Sequence, residues 1–284
     1  MLDWQSSSYL KIINEINNNI ILNFNKINCN DNSENDNSYD KKYKTNENSD
    51  ITLNNDNILQ EKLRQIIGLL NHLAIHTRPD ILFSVTYLAT RITTAKENDI
   101  DMGKNIVRYV KGTKSLGLNF SSTTTLQLFG YADASYLTHV DGKSHSGIAF
   151  SLGRDTACFY FKSNKQRLVT RSSAEAELYA LDLCVIDVIW FRNVLKFLGA
   201  EQLQPTIIHE DNQSTMLLAT GKTKQRESSK HLRMRYFFCK EAIASGQVAL
   251  EYLTTTNQPA DILTKHIAST KDFYKLRSMI MNFT

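Results

Sequence analysis

The stretch that decides the fold is Leu126-Gln-Leu-Phe-Gly-Tyr-Ala-Asp-Ala-Ser135. Its branched and aromatic residues over 126–132 predict a β-strand with Asp133 at its end. Two later segments, Gly147–Leu152 and Ala157–Lys162, have the same character and are separated by turn-forming residues. The three together predict an antiparallel meander.

Beyond the meander, predicted strands alternate with predicted helices. Ser172 and Glu175 form a capping-box start for a long helix whose apolar residues continue to Leu198. Strands are expected over 205–210 and 247–253, and helices over 212–219, 229–245 and from Pro259 onward. This order predicts an α/β fold with a mixed five-stranded sheet and helices on both faces.

The N-terminal part of the chain differs from this pattern. Residues 1–56 contain fifteen Asn and are predicted to be a largely disordered leader, with one short amphipathic helix over 8–24. Residues 57–118 are predicted to be a helical segment, because apolar residues recur there at spacings of three and four. Its helices are expected from Asn57, from Asp80 to Thr93, and from Asp99 to Val110. The predicted domains are therefore 1–56, 57–118 and 119–284.

Composition and charge narrow the class of protein. The net charge is +4, yet residues 1–56 hold nine acidic and five basic side chains, so the remainder is basic. A basic globular part suits a nucleic-acid partner, although a moderately basic enzyme without one has the same charge.

No apolar run reaches the length of a membrane span, and the N-terminus lacks a signal peptide's layout. The four cysteines show no paired spacing, which indicates reduced thiols. We expect an intracellular protein that is not secreted.

Four acidic residues are candidates for chemistry: Asp133, Glu177, Asp211 and Asp261. Carboxylates beside apolar residues are costly to bury unless a cation holds them. Neighbouring strands of one sheet would place Asp133 and Asp211 side by side, and Glu177 lies one turn before a core-facing leucine. Four such oxygen donors suit one or two Mg²⁺ ions. Each residue taken singly also fits an ordinary role in a turn or at a helix terminus.

Several motifs carry a resemblance to a known family. The motifs are Gly68-Leu-Leu-Asn-His-Leu-Ala74, Thr77-Arg-Pro-Asp-Ile81, Arg108-Tyr-Val-Lys-Gly-Thr-Lys114, Gly130-Tyr-Ala-Asp-Ala-Ser135, Lys143-Ser-His-Ser-Gly147, residues 163–181, Glu210-Asp-Asn-Gln-Ser214, Ser229-Lys-His-Leu-Arg-Met-Arg-Tyr236 and Asn257-Gln-Pro-Ala-Asp-Ile-Leu-Thr-Lys265. With these motifs, residues 126–282 closely resemble the ribonuclease H domain at the C-terminal end of the Pol polyprotein of copia-type LTR retrotransposons. Residues 60–118 resemble the stretch that joins reverse transcriptase to that domain.

This resemblance implies a ribonuclease H-like sheet and a hydrolase that cleaves the RNA strand of an RNA–DNA hybrid. It assigns the four carboxylates to two Mg²⁺ ions, for which Mn²⁺ could substitute, with Asp133 bridging both. The implied partners are the hybrid and other Pol-derived proteins, with no membrane and no small-molecule cofactor. The implied location is a cytoplasmic virus-like particle or the nucleus. No Tyr/Phe-Xaa-Asp-Asp sequence precedes residue 60 and no His/Cys zinc module is present, so we expect neither polymerisation nor integration.

The chain departs from the family pattern in three places. The family usually has a small or apolar residue, often Cys, where this chain has Glu210. We expect Glu210 to point to the opposite face of its strand from Asp211, because neighbouring residues alternate. Arg233 replaces an acid, which makes its helix more basic. Some cellular ribonucleases H carry a His shortly before the last carboxylate, whereas no His lies between Gly246 and Asp261.

A second set of residues is predicted to contact nucleic acid. Basic side chains would bind phosphates and add salt dependence, while polar side chains beside the carboxylates could reach the ribose 2′-hydroxyl. These residues are Ser135, Lys165, Arg167, Asn212, Lys230, His231, Arg233 and Arg235. A solvated helix face is the alternative for the basic cluster. Trp190 and the Phe237-Phe238 pair are expected in the core rather than in base stacking.

Three functions remain open at this point. The first is a metal-dependent ribonuclease H. The second is a catalytically idle remnant of a retroelement that only binds nucleic acid. The third is a nuclease of the same fold that acts on another substrate.

Overall fold

A computed structural model of the chain describes residues 47–121, 126–222 and 230–283. The chain divides into two compact units. Of the described residues, 47–72 and Leu88–Ser115 form one unit, and Leu73–Tyr87 with those from Leu116 onward form the other. The predicted helix over 8–24 and Cys29 lie outside the described residues. The predicted domain boundaries at residues 56 and 118 stay predictions.

Helices dominate the part of the chain before the sheet. They are α1 (Glu47–His76), α2 (Leu82–Ala89) and α3 (Glu97–Gly112). Helix α1 begins before the predicted start at Asn57, inside the segment that was assigned to the leader. The helix predicted from Asp80 to Thr93 is shorter as an α-helix, because turns of 3₁₀-helix flank it at Pro79–Ile81 and Ile92–Thr94. Gly103 lets α3 approach α1 closely: a Cβ there would lie 2.9 Å from a methyl group of Ile66.

A mixed five-stranded sheet forms the centre of the second unit. Its strands are β1 (Leu128–Ser135), β2 (His145–Leu152), β3 (Cys158–Lys165), β4 (Thr206–Glu210) and β5 (Val248–Tyr252). They lie in the order β3-β2-β1-β4-β5. The first three strands are antiparallel, β4 pairs in parallel with β1, and β5 pairs in parallel with β4. This topology confirms the predicted ribonuclease H-like α/β fold.

Helical elements cover both faces of this sheet. They are α4 (Ser173–Phe197), α5 (Gln213–Ala219), α6 (Lys230–Ala244) and α7 (Thr270–Met281). On one face, α4 buries Leu181, Val185 and Val188 against side chains of β1, β2 and β4. On the other face, a 3₁₀-helix at Pro259–Leu263 lies over β1 and β2, and α7 packs against it. The predicted start of α4 is confirmed, because Ser172 Oγ accepts a hydrogen bond from the Glu175 amide at 3.2 Å.

Three described cysteines, Cys158, Cys184 and Cys239, are buried free thiols. This agrees with the reduced state that the sequence predicts for them. Within the described part of the chain, no helix is both long enough and apolar enough to span a bilayer. The predicted location in the cell stays a prediction.

Candidate active site

Parallel pairing of β1 and β4 brings two carboxylates to one edge of the sheet. The register pairs Tyr131 with His209, and Asp133 and Asp211 each lie two residues further along. Asp133 is still within β1, opposite Gly147, whereas Asp211 directly follows the last residue of β4. The structure thus brings together the two strand residues that the sequence predicts to be neighbours.

Glu177 reaches the same edge from the start of α4. Gln166 fixes this helix start, since its Nε2 donates to the Ala176 carbonyl and to Ser146 Oγ, each at 2.9 Å. Ala176 and Ala180 are small enough for the helix to lie against Ala134 of β1. The Ala134 amide donates a hydrogen bond to the Glu177 carboxylate. Glu177 is therefore a buried side chain held against β1, not a solvated helix carboxylate.

Asp261 is carried by the 3₁₀-helix at Pro259–Leu263, and four hydrogen bonds fasten this helix and its two flanking residues to the sheet. The fully buried Gln258 donates to the Ala132 carbonyl at 3.0 Å and the His209 carbonyl at 3.2 Å, so it bridges β1 and β4. Ser163 Oγ of β3 donates to the Leu263 carbonyl at 2.6 Å. Thr264 Oγ1 donates to the Asp133 carboxylate. These contacts connect the turn to three strands.

The carboxylates form two groups, each with oxygens within 4.8 Å of one another. One group is Asp133, Asp211 and Asp261, and the other is Glu177, Glu210 and Asp211. All four predicted catalytic residues are present, and Asp211 belongs to both groups. The prediction that Asp133 bridges two ions stays a prediction.

The expectation that Glu210 points to the opposite face of its strand from Asp211 is wrong, because oxygens of Glu210, Asp211 and Glu177 lie within 4.8 Å of one another. Residue alternation does direct Glu210 away from His209, but β4 ends at Glu210, so Asp211 no longer follows the strand. Glu210 shares its face of the sheet with Ile208, which packs in the core with α4. That face also receives Glu177, and Glu210 therefore joins the carboxylate cluster.

Burial and mutual repulsion raise the pKa values of the carboxyl groups in this cluster. Burial first, and then the nearby charge of Asp133, raise the pKa of Asp261 to about 8, although Lys265 opposes the shift. Burial and the neighbouring carboxylates raise the pKa values of Glu177 and Glu210 well above the usual range for Glu. Burial and Asp133 also raise the pKa of Asp211. Such a cluster requires either protons or bound cations to offset its charge.

Lys265 is the basic residue that belongs to this cluster, and its role was not predicted from the sequence. Its Nζ lies 2.8 Å from Asp261 Oδ2. Burial acts to lower the pKa of Lys265, but Asp133 and Asp261 outweigh it and raise the pKa. The available signal was its position in the Asp-Ile-Leu-Thr-Lys265 motif, four residues after Asp261.

Comparison with known proteins identifies the family. The chain is 31% identical over 208 residues to the retrovirus-related Pol polyprotein from transposon RE1 of Arabidopsis thaliana, and 30% identical over 206 residues to that from transposon RE2 of the same plant. These matches cover 73% and 72% of this chain. The chain belongs to the Pol polyproteins of copia-type retrotransposons.

The chain spans only 14% of the length of these two Pol relatives. No family model matches the chain. Among solved structures, LC11-RNase H1 in complex with RNA/DNA hybrid is similar over 49% of this chain and 94% of that protein, with 13% sequence identity and a TM-score of 0.38.

The residues predicted to contact nucleic acid differ in their exposure and in their partners within the protein. Arg167 and Arg233 are exposed, while Ser135 and Asn212 are half-buried beside Asp133 and Asp211. Asn212 caps α5, because its side chain accepts from the Thr215 amide at 3.1 Å. Lys165 Nζ lies 2.8 Å from Asp141 Oδ2. The side chains of Lys230 and His231 lie outside the described residues. As nucleic-acid contacts, all eight residues stay predictions.

The expectation that Trp190 and the Phe237-Phe238 pair belong to the core is wrong, because all three side chains are exposed. Trp190 is 58% exposed and Phe237 is 56% exposed. Both lie on helices whose opposite faces hold the core, and hydrophobic residues in a helical pattern do not all face inward.

Arg235 has a structural partner. It forms an ion pair with the buried Asp182, and its guanidinium carbon lies 4.0 Å from the centre of the Tyr179 ring. We expect Arg235→Ala to lower the free energy of unfolding by about 3 kcal/mol, because a buried carboxylate would lose its partner. We expect the exposed Arg233→Ala to change it by less than about 0.5 kcal/mol. Urea unfolding measures both changes. Equal midpoints for the two variants would show that the ion pair between Arg235 and Asp182 does not stabilise the fold.

The raised pKa values predict how the stability of the metal-free protein depends on pH. Below the ordinary Asp value of 3.8, folded and unfolded chains both hold the proton of Asp261; between 3.8 and about 8, only the folded chain holds it. The free energy of unfolding should therefore fall as the pH rises through this range, and Glu177 and Glu210 contribute with the same sign.

Melting temperatures across this pH range, measured in EDTA and in Mg²⁺, test this dependence. Because metal ions compete with protons for carboxylates, we expect the stabilisation by Mg²⁺ to grow as the pH rises. If the melting temperatures in EDTA and in Mg²⁺ change in parallel with pH, Asp261, Glu177 and Glu210 do not hold protons in the folded protein.

Proposed function

We propose that this chain is a metal-dependent endonuclease that hydrolyses the RNA strand of RNA–DNA hybrids. The observation that carries the proposal is the convergence of carboxylate oxygens from Asp133, Glu177, Asp211 and Asp261 at one edge of a ribonuclease H-like sheet. Membership in the copia-type Pol family supports the same chemistry, because the resemblance assigns these four residues to it.

The cluster suits divalent cations. Glu177 Oε2 and Asp261 Oδ1 are buried and have no hydrogen-bond partner among the described residues. Carboxylate oxygens are the ligands that Mg²⁺ and Mn²⁺ prefer. Asp133, Glu177, Asp211 and Asp261 would hold the ions. When bound, two ions would activate a water molecule for attack on the phosphodiester and stabilise the charge of the departing 3′ oxygen.

The protein itself positions the carboxylates and would attract the phosphates of the substrate. Gln258, Gln166 and Thr264 hold the elements that carry the carboxylates, so the site is fixed before substrate arrives. Such preorganisation lowers the barrier, since no rearrangement is needed during reaction. Exposed Arg167 and Arg233 would attract the phosphates of the hybrid. Ser135 and Asn212 lie next to Asp133 and Asp211, where they can contact a ribose hydroxyl.

The decisive experiment incubates the full chain with a hybrid labelled on its RNA strand, in Mg²⁺ and in EDTA. Double-stranded DNA and double-stranded RNA of the same sequence are the comparison substrates. We expect cleavage of the RNA strand in Mg²⁺, none in EDTA, and little cleavage of either duplex.

The other outcomes distinguish the remaining functions. Salt-dependent binding of the hybrid without cleavage, where a control ribonuclease H cleaves, would support the idle remnant. Preferential cleavage of either comparison duplex would support a nuclease with another substrate. Either result would overturn the proposed specificity.

A further inference from the structure

Glu210 is a fifth carboxylate in the cluster and the most deeply buried of the five. Its side chain has no exposed surface. Its Oε1 accepts a hydrogen bond from the Asn212 amide at 3.2 Å. Its Oε2 is buried and has no hydrogen-bond partner among the described residues. One of its oxygens lies within 4.8 Å of oxygens of Glu177 and Asp211. The site therefore contains an unsatisfied acceptor beyond the four residues that the family resemblance assigns.

The two carboxylate groups differ in their compensating charge. In the group of Asp133, Asp211 and Asp261, Lys265 forms an ion pair with Asp261, and Thr264 donates to Asp133. In the group of Glu177, Glu210 and Asp211, no ion pair within 4.0 Å is present among the described residues. Glu177 Oε2 and Glu210 Oε2 are both without hydrogen-bond donors. Buried carboxylates that repel one another in this way hold either protons or a cation, and one divalent cation would offset the charge of all three.

We propose that Glu210 is a direct ligand of a divalent cation that it shares with Glu177 and Asp211. This inference rests on the proposed function and adds a ligand to its metal site. Three carboxylates from β4, its following residue and α4 would surround one ion with hard oxygen donors. Glu177 Oε2 and Glu210 Oε2 accept no hydrogen bond among the described residues. Each could therefore bind the cation without first breaking a hydrogen bond.

A titration with Mn²⁺ tests this proposal directly. Free Mn²⁺ is measured by electron paramagnetic resonance during titration of the full chain, as wild type, Glu210→Gln and Glu251→Gln. Glutamine keeps the size of the side chain and removes its charge. Glu251 is a matched control, because it is 46% exposed at its side chain and pairs with Arg154 outside the cluster. We expect Glu210→Gln either to lose one bound Mn²⁺ or to bind it at least about tenfold more weakly, and Glu251→Gln to match wild type.

Melting curves provide a second readout and a control for folding. Without metal, Glu210→Gln should be at least as stable as wild type, since it removes a buried carboxyl group that must be either protonated or charged. With Mn²⁺, its rise in melting temperature should be smaller than that of wild type, because a ligand that binds more weakly stabilises the folded state less. Should the Gln variant not fold, Glu210→Met offers an uncharged side chain of similar length that adapts to a buried site.

Failure of this inference is distinguishable from failure of the proposed function. If the Gln and Met variants bind Mn²⁺ with the stoichiometry and affinity of wild type, Glu210 is not a ligand, while hybrid cleavage by wild type is unaffected. If wild type itself binds no Mn²⁺ and leaves the hybrid intact, both proposals fall.

Discussion

Asp133→Asn should reduce the cleavage of an RNA–DNA hybrid by at least about 10³-fold in kcat, with the fold intact. Asp133 is buried, and one of its oxygens lies within 4.8 Å of oxygens of Asp211 and Asp261. Its charge also contributes to the raised pKa values of Glu177, Asp211 and Asp261. Asparagine keeps the shape and can still accept the hydrogen bond from Thr264, but it lacks the negative charge that cations require.

Single-turnover cleavage with excess enzyme measures this effect separately from substrate binding. Asp101→Asn is the matched control, since Asp101 is an exposed residue of α3 that pairs with Lys104. We expect that control to cleave like wild type. The metal-free Asp133→Asn variant should melt at or above the wild-type temperature, because one repelling charge is gone. Retention of cleavage within tenfold of wild type would exclude Asp133 as an essential residue.

Local patterns predicted most of the elements correctly. The branched and aromatic residues of β1, the apolar face of α4 and the Ser172 cap are each local features of a few neighbouring residues, so sequence alone specifies them. The mixed sheet followed from strands that alternate with helices, and within it the parallel pairing of β1 with β4 places Asp133 beside Asp211. Prediction of Glu210 failed because alternation applies only inside a strand, and β4 ends one residue before Asp211.

The contacts that position Asp261 could not be predicted in the same way. Gln258 binds carbonyl groups of Ala132 and His209, which are 126 and 49 residues away in the chain. Ser163 binds the carbonyl of Leu263 across 100 residues. No local pattern marks such partners, because backbone carbonyls are the same at every position. The motif Asn257-Gln-Pro-Ala-Asp261 identified the right segment without showing which residue fastens it.

Gly147→Ala should damage both the stability and the proposed cleavage, although residue 147 has no functional group. A Cβ at this position would lie 2.6 Å from Thr264 Cγ2 and 2.8 Å from both the Ala260 carbonyl oxygen and Leu263 Cβ. These atoms belong to the turn that carries Asp261 and to the residue that donates to Asp133. The added methyl group must therefore push the turn away from β2.

We expect this displacement to lower the free energy of unfolding by about 1–3 kcal/mol. We also expect the rate of hybrid cleavage to fall by at least about 10²-fold, since a shift of about 1 Å in a catalytic group has that effect. Gly68→Ala is the matched control, because nothing lies within 4 Å of a Cβ there and alanine favours the helix by about 0.5–1 kcal/mol. Urea unfolding and single-turnover cleavage measure both variants. If Gly147→Ala unfolds and cleaves like wild type, close packing of the turn on β2 does not position Asp261. If the cleavage rate of Gly147→Ala falls in parallel with its stabilisation by Mg²⁺, the turn affects cleavage by positioning the metal ligand Asp261.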